Sequence, residues 1–187
     1  MMTYTNHSGG CPGADMTWET EGYKYGVKSI GYSFLGHTQY SKNSQVLTSA
    51  ELDEGAEHAK IASFTLKRPW DYLADKRYVR NLISRNWFQV KNSECVFPIG
   101  TFVKESRKLV NGGTGWAVQM AIDNNKPICF YEQNEGAWYK FFYDKDIFCQ
   151  CPCIPHLTEN FAGIGTREIN KNGINAIKII YENTFQP

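Results

Sequence analysis

The chain has 187 residues, enough for a single hydrophobic core, and we treat residues 1–187 as one domain. Its 42% apolar and 21% charged residues are typical of a soluble globular protein, and its net charge of +1 gives no general attraction to nucleic acid. The sequence has no run of about 18 apolar residues, which a membrane span needs, and its N-terminus lacks the pattern of a secretory signal. We therefore expect a cytoplasmic protein whose six cysteines are reduced.

The N-terminal quarter predicts a βαβ unit. Residues 4–7 form a short extended run, and the glycines and proline of Ser8–Asp15 prevent the strand from continuing. A helix is predicted over 15–25 and a second strand over 27–32. The long polar segment 33–47 predicts a functional loop or lid rather than a simple connection.

Two helices are predicted in the next part of the chain. Thr48 or Ser49 can cap a helix that runs to residue 67, with Glu51 at the capping-box position. A second helix is predicted over 76–90. Phe88 lies on the polar side of that helix, so we expect an exposed aromatic ring at an interface of a homo-oligomer.

The second half repeats the order strand, glycine turn, helix, strand. A strand over 94–99 is followed by the turn Asn111–Gly115, a helix over 116–125 and a strand over 127–131. Residues 138–143 and 147–149 predict a hairpin appended to the main sheet. The segment 160–168 then predicts a third strand with a glycine turn that opens a last helix, which ends near residue 185.

Three glycine turns that each open a helix carry the functional prediction. A helix N-terminus presents unpaired N–H groups and a partial positive charge, and glycine lets the backbone approach a phosphate closely. In an open parallel sheet, such turns gather at the carboxyl ends of the strands. The alternative is that the glycines only permit tight turns. The candidate ligand-binding residues are Ser8, Gly9, Gly10, Gly13, Asp15, Arg85, Asn86, Gly112, Gly113, Thr114, Gly115, Gly163, Gly165, Thr166, Arg167 and Glu168.

Several of these side chains have a specific role under this hypothesis. The hydroxyls of Ser8 and Thr114 can donate to phosphate oxygens. Asp15 and Glu168 can accept hydrogen bonds from ribose hydroxyls, serve as acid or base at a glycosidic carbon, or simply cap their helices. Arg85 is either a bidentate anion ligand or a solvated helix residue.

The remaining charged and sulfur-containing patterns are less specific. Residues 60–91 contain eight Lys or Arg and two Asp, which is either a positive field for a polyphosphate or a solvated surface. The cysteines at 149, 151 and 153 are too far apart along a strand to share a zinc ion, so we expect no metal and no cofactor. Cys11, inside the first glycine turn, is the better candidate for a reactive thiol.

Taken together, the motifs resemble those of the SLOG superfamily of Rossmann-like domains. The resemblance is carried by Ser8–Asp15, Arg85–Val90, Gly112–Gly115 and Ala162–Glu168, and it is strongest to phage and bacterial relatives of the DNA-processing protein A domain. The superfamily includes the lonely-guy phosphoribohydrolases, molybdenum-cofactor carriers and the sensor domain of Thoeris defence effectors. The resemblance implies an α/β fold with a mostly parallel, Rossmann-like sheet flanked by helices.

The sequence departs from that family pattern in two ways. The turn Gly163–Glu168 comes last although relatives carry it first, which implies a circularly permuted domain. Gln119 stands where the phosphoribohydrolase motif has its catalytic Glu. We therefore favour binding of a nucleotide-derived molecule, such as an ADP-ribose-type or cyclic nucleotide signal, in the manner of a phage counter-defence sponge. The alternatives are an N-glycosidic-bond hydrolase, with Asp15 or Glu168 as catalytic groups, and a single-stranded DNA-binding module, which the net charge disfavours.

Overall fold

The computed structural model describes residues 3–186, which form eight strands and six α-helices. The strands are β1 (Thr5–Ser8), β2 (Lys28–Ser33), β3 (Ser44–Val46), β4 (Cys95–Gly100), β5 (Cys129–Glu132), β6 (Ala137–Phe142), β7 (Ile147–Gln150) and β8 (Asn160–Gly165). The helices are α1 (Ala14–Tyr23), α2 (Ser49–Leu66), α3 (Arg77–Ser84), α4 (Asn86–Lys91), α5 (Thr114–Asp123) and α6 (Lys171–Phe185), and a 3₁₀ turn covers Asp71–Leu73.

All eight strands belong to one open sheet in the order β3-β2-β1-β8-β4-β5-β6-β7. The first six strands of this order run parallel, and β6 and β7 continue the sheet as an antiparallel hairpin. This confirms the predicted mostly parallel α/β sheet and its added hairpin. Counted from β8, the strands β8, β1, β2, β4 and β5 give the spatial order 3-2-1-4-5 of a Rossmann sheet.

The last strand of the chain therefore occupies the central position of the sheet. It lies between β1 and β4, with Thr5 opposite Asn160 and Val96 opposite Ala162. The two ends of the described chain also meet, because the rings of Tyr4 and Phe185 pack with centroids 4.7 Å apart. Adjacent ends are the geometric condition for a permuted strand order.

Helices cover both faces of the sheet. On one face, α1 and α6 bury an aromatic core in which the Trp18 ring packs against Phe161 and Tyr181. On the other face, α2, α4 and α5 enclose a larger core. The capping box that begins α2 is present: the Glu51 N–H donates to Thr48 Oγ1, and the Thr48 N–H donates to the Glu51 carboxylate.

The structure differs from the sequence prediction in two elements. The single helix predicted over 76–90 is broken at Arg85, which ends α3 and begins α4. Helix α4 packs against the sheet and against helices α2 and α5, so Phe88 is only 4% exposed and its ring packs against Tyr32. The prediction of an exposed Phe88 is therefore wrong. Segment 33–47 is not wholly irregular, because β3 adds an edge strand beside β2.

Within residues 3–186, we find no helix with both the length and the apolar character that crossing a bilayer requires.

Candidate functional site

A cleft of about 960 Å³ opens at the carboxyl ends of the central strands. Its walls come from the segments that follow β4, β5 and β8, from the N-terminus of α5 and from α3. The cleft lies where the strand order reverses between β8 and β4. In open α/β sheets, this switch point is the usual location of a ligand site.

The cleft brings together residues from all three glycine turns and from the α3–α4 junction. The predicted site residues that line it are Asp15, Arg85, Asn86, Gly112, Gly113, Thr114, Gly165, Thr166, Arg167 and Glu168. The other predicted residues, which do not line it, are Ser8, Gly9, Gly10, Gly13, Gly115 and Gly163. The structure thus divides the predicted set into residues that face the cleft and residues that build its walls.

The second glycine turn presents open hydrogen-bond donors to the cleft. The backbone N–H groups of Gly112, Gly113 and Thr114 bond to no other group among residues 3–186, and α5 has no side-chain cap. A Cβ built at Gly112 or Gly113 would have no atom within 4 Å, and Gly112 has a φ of 67°. An uncapped helix N-terminus beside open space is the arrangement that receives an anion.

Three backbone donors of the first glycine turn bond within the protein. The Gly10 N–H donates to Ser8 Oγ, the Cys11 N–H to Asp15, and the Ala14 N–H to the Thr166 carbonyl. A side chain at Gly13 would also collide with the third turn, because a Cβ there, where φ is 94°, would overlap the Arg167 backbone. The first turn therefore packs against the third turn and supports the cleft wall.

The third turn does not open a helix directly, contrary to the sequence prediction. Helix α6 begins at Lys171, and its N-terminus is capped by the Asn170 side chain, which accepts from the Gly173 N–H at 3.0 Å. The intervening residues Arg167 and Glu168 are exposed at the cleft rim. The turn is fixed by a hydrogen bond from Thr166 N–H to the Ile99 carbonyl at 2.9 Å.

Arg85 is buried rather than solvated. Only 4% of the Arg85 surface is exposed. Its Nη1 donates to the carbonyl oxygens of Gly9 and, at 2.8 Å, of Tyr32. Nη2 donates to Cys11 Sγ at 3.0 Å, whereas the buried Nε has no partner among the described residues. The guanidinium therefore ties the first turn to β2 while placing a positive charge in the cleft wall.

Asp15 joins the first and third turns. Its carboxylate accepts from the N–H groups of Cys11, at 3.2 Å, and Gly165, at 3.1 Å. Burial raises the pKa of Asp15 to about 6, and the Arg85 charge and the backbone donors only partly oppose that rise. The pKa of His37 is lowered to about 4, first by burial and then by the charges of Arg85 and Arg167. The positive charges of Arg85 and Arg167 are therefore both close enough to His37 to lower its pKa.

Sequence reasoning missed two groups of cleft residues. The first is an apolar wall that includes Val79, Leu82 and Trp116. The second is Gln133, which follows β5: its Nε2 donates to the Glu168 carbonyl at 3.1 Å, and its Oε1 accepts from the Asn170 N–H at 2.9 Å. The position of Gln133 directly after a parallel strand was the available signal.

Gln119 does not line the cleft. Its side chain is buried and donates to Asp123 at 2.8 Å along helix α5. The basic run 60–91 is also divided: Arg85 is buried, Arg68 donates to the Gly112 carbonyl, and Lys91 is paired with Glu54. Among residues 3–186, no three His, Cys, Asp or Glu side chains are grouped so that they could hold a metal ion.

Comparisons of the chain with protein-family models, with curated proteins and with solved structures found no significant match.

Proposed function

We propose that this domain binds a nucleotide-derived small molecule through its phosphate groups at the N-terminus of α5. The observation that carries the proposal is the set of three unpaired backbone N–H groups, at Gly112, Gly113 and Thr114, that face a large cleft. A phosphate oxygen accepts from such donors and gains from the helix dipole, whereas neutral ligands gain much less.

The rest of the cleft supports a ligand with distinct chemical parts. Arg167 adds an exposed cation at the rim, and the buried Arg85 adds a second positive charge in the wall. The apolar surface of Val79, Leu82 and Trp116 suits a planar base or another apolar group. This combination favours a ligand of the ADP-ribose or cyclic nucleotide type over inorganic phosphate.

The same proposal includes the biological role. Residue 119, where the resembled phosphoribohydrolases carry their catalytic Glu, is a Gln that lies outside the cleft, so this position supplies no carboxylate to the site. The proposal is therefore that the domain retains or sequesters its ligand rather than cleaving it. Its resemblance to phage relatives and to a defence sensor domain makes a counter-defence sponge the specific version of this role.

Isothermal titration calorimetry tests the binding. The titrants are ADP-ribose, cyclic ADP-ribose, AMP and, as the control without phosphate, adenosine. We expect the phosphate-bearing ligands to bind at least about tenfold more tightly than adenosine, because each charge-assisted hydrogen bond contributes about 1.5–3 kcal/mol. Absence of binding by every nucleotide at millimolar concentration contradicts the proposal. Mass spectrometry of small molecules released by denaturing the purified protein identifies a co-purified ligand.

A nucleotide N-glycosidase is the second candidate, and the environment of Asp15 favours it. A cleft carboxyl with a pKa near 6 can serve as a general acid near neutral pH. Long incubation with AMP or ADP-ribose, followed by chromatography for released base, decides between the two. Release of base by the wild type and not by Asp15→Asn supports the hydrolase, whereas unchanged nucleotide supports binding alone.

A further inference from the structure

The first glycine turn holds a thiol against a buried cation, a contact for which the proposed ligand binding has no use. Cys11 is half-buried and lines the cleft, and its Sγ accepts a hydrogen bond from Arg85 Nη2 at 3.0 Å. The Nε of the same guanidinium is buried and has no partner among residues 3–186. Nε and Nη2 lie on one edge of the guanidinium plane, the edge that binds a two-oxygen anion bidentately.

Arg85 also lacks a direct ion pair. Within the described part of the chain, no carboxylate oxygen lies within 4.0 Å of its guanidinium nitrogens. Asp15 is the nearby acid, but its carboxylate is turned to the N–H groups of Cys11 and Gly165. A two-oxygen anion at the position of the Cys11 sulfur would therefore satisfy both the free Nε donor and the charge.

We propose that Cys11 is a site of oxidation by hydroperoxides, and that Arg85 holds the anionic product. The Cys11 thiol takes one oxygen from hydrogen peroxide to give the sulfenic acid and water. A second hydrogen peroxide converts the sulfenic acid to the sulfinic acid and a second water. The sulfinic acid loses a proton to solvent, and the two sulfinate oxygens accept from Nε and Nη2 of Arg85.

The chain provides an internal control in Cys153. This cysteine is exposed, so oxidant reaches it freely, and no cationic side chain of the described residues donates a hydrogen bond to it. Accessibility alone predicts that Cys153 reacts before Cys11. The electropositive contact predicts the opposite order, because reactive cysteines are those with a neighbouring cation and partial exposure.

The test is a time course of the full chain with dilute hydrogen peroxide, followed by peptide mass spectrometry. We expect Cys11 to gain oxygen at least about tenfold faster than Cys153, and its product to accumulate with a mass increase of about 32 Da. Equal or faster oxidation of Cys153 contradicts the proposal. A dominant mass loss of about 2 Da, which marks a disulfide, contradicts it as well.

Arg85→Lys tests the role of the guanidinium, since lysine keeps the charge but lacks the two-donor edge. In the folded variant, we expect the Cys11 sulfinate to accumulate about tenfold more slowly than in the wild type. An unchanged rate contradicts the assignment of Arg85. Near-ultraviolet circular dichroism establishes folding, and if Arg85→Lys does not fold, the comparison of Cys11 with Cys153 in the wild type decides the proposal.

Discussion

A carboxylate placed at residue 113 tests whether the N-terminus of α5 receives an anion. Gly113 begins that helix with a φ of −65° and ψ of −33°, which any residue can adopt, and no atom lies within 4 Å of its Cβ position. Gly113→Asp therefore brings a negative charge to the proposed phosphate position without backbone strain. Gly113→Asn is the matched control, because it has the same size and no charge.

The expected effects on stability and binding have opposite signs. A carboxylate in the first turn stabilises a helix by about 0.3–1 kcal/mol, so Gly113→Asp should unfold at a higher urea concentration than Gly113→Asn. Two like charges about 4 Å apart repel by about 1 kcal/mol in bulk water and by about 4 kcal/mol near a protein surface. Competition for the free N–H donors adds to this repulsion. We expect ADP-ribose to bind Gly113→Asp at least about 100-fold more weakly than Gly113→Asn.

Calorimetry at low salt and urea unfolding of both variants measure the two effects. Because the variants are nearly isosteric, a steric block by the new side chain lowers both affinities equally and cancels in their ratio. Equal affinities of the Asp and Asn variants would refute the assignment of the phosphate to this helix N-terminus. Loss of binding together with loss of stability in Gly113→Asp would show that the variant is misfolded rather than blocked.

Three further predictions concern the walls of the cleft. Because the pKa of Asp15 is raised to about 6, its contribution to the free energy of unfolding is fully present below about pH 4 and is lost as the pH rises through 6, by about 3 kcal/mol in all. In urea unfolding, Asp15→Asn should therefore lose this fall in stability between pH 4 and pH 7. An unchanged pH dependence in the variant contradicts the raised pKa of Asp15. Gly13→Ala should destabilise the protein by over about 2 kcal/mol, because the new Cβ overlaps the Arg167 backbone. Gly26→Ala, also at positive φ but with no atom near its Cβ, should cost about 1 kcal/mol. Equal losses in thermal unfolding would show that contact with Arg167 does not matter. Arg85→Met should lower the free energy of unfolding by about 2–5 kcal/mol, because it leaves buried carbonyls without donors. The control Arg77→Met, at an exposed residue, should lower it by less than about 0.5 kcal/mol. A similar small change in both variants contradicts the role of Arg85 in holding these carbonyls.

Local patterns in the sequence were sufficient for most of the secondary structure. The capping box at Thr48–Glu51 and the glycine turn before α5 act over a few residues, so their outcome could be predicted from spacing and residue type. The repeated order of strand, turn and helix indicated a parallel sheet, because strands that alternate with helices are typical of that architecture. The helix predicted over 76–90 is the exception, because its pattern did not show the break at Arg85. The pattern also could not show that Phe88 is buried, because α4 is enclosed by the sheet, α2 and α5.

The division of labour among the three glycine turns could not be predicted in this way. All three have the composition of a phosphate-binding turn, but whether an N–H group stays free depends on what the rest of the chain brings to it. In the first turn, the N–H groups of Gly10, Cys11 and Ala14 bond to Ser8, Asp15 and Thr166. The third turn is followed by a helix that Asn170 caps. Of the three glycine turns, which all lie within the described residues, only the second keeps a row of free donors at the N-terminus of its helix.

The sequence by itself thus determined the α/β class, the glycine turns and the residues from which a site would be built. The tertiary structure decided that β8 pairs between β1 and β4, that Arg85 is buried, and that the α5 turn faces the cleft. The physical reason is the range of the interactions. Propensity and capping act between neighbours in the chain, whereas strand order, burial and hydrogen-bond competition depend on contacts such as Asp15 with Gly165, which are 150 residues apart.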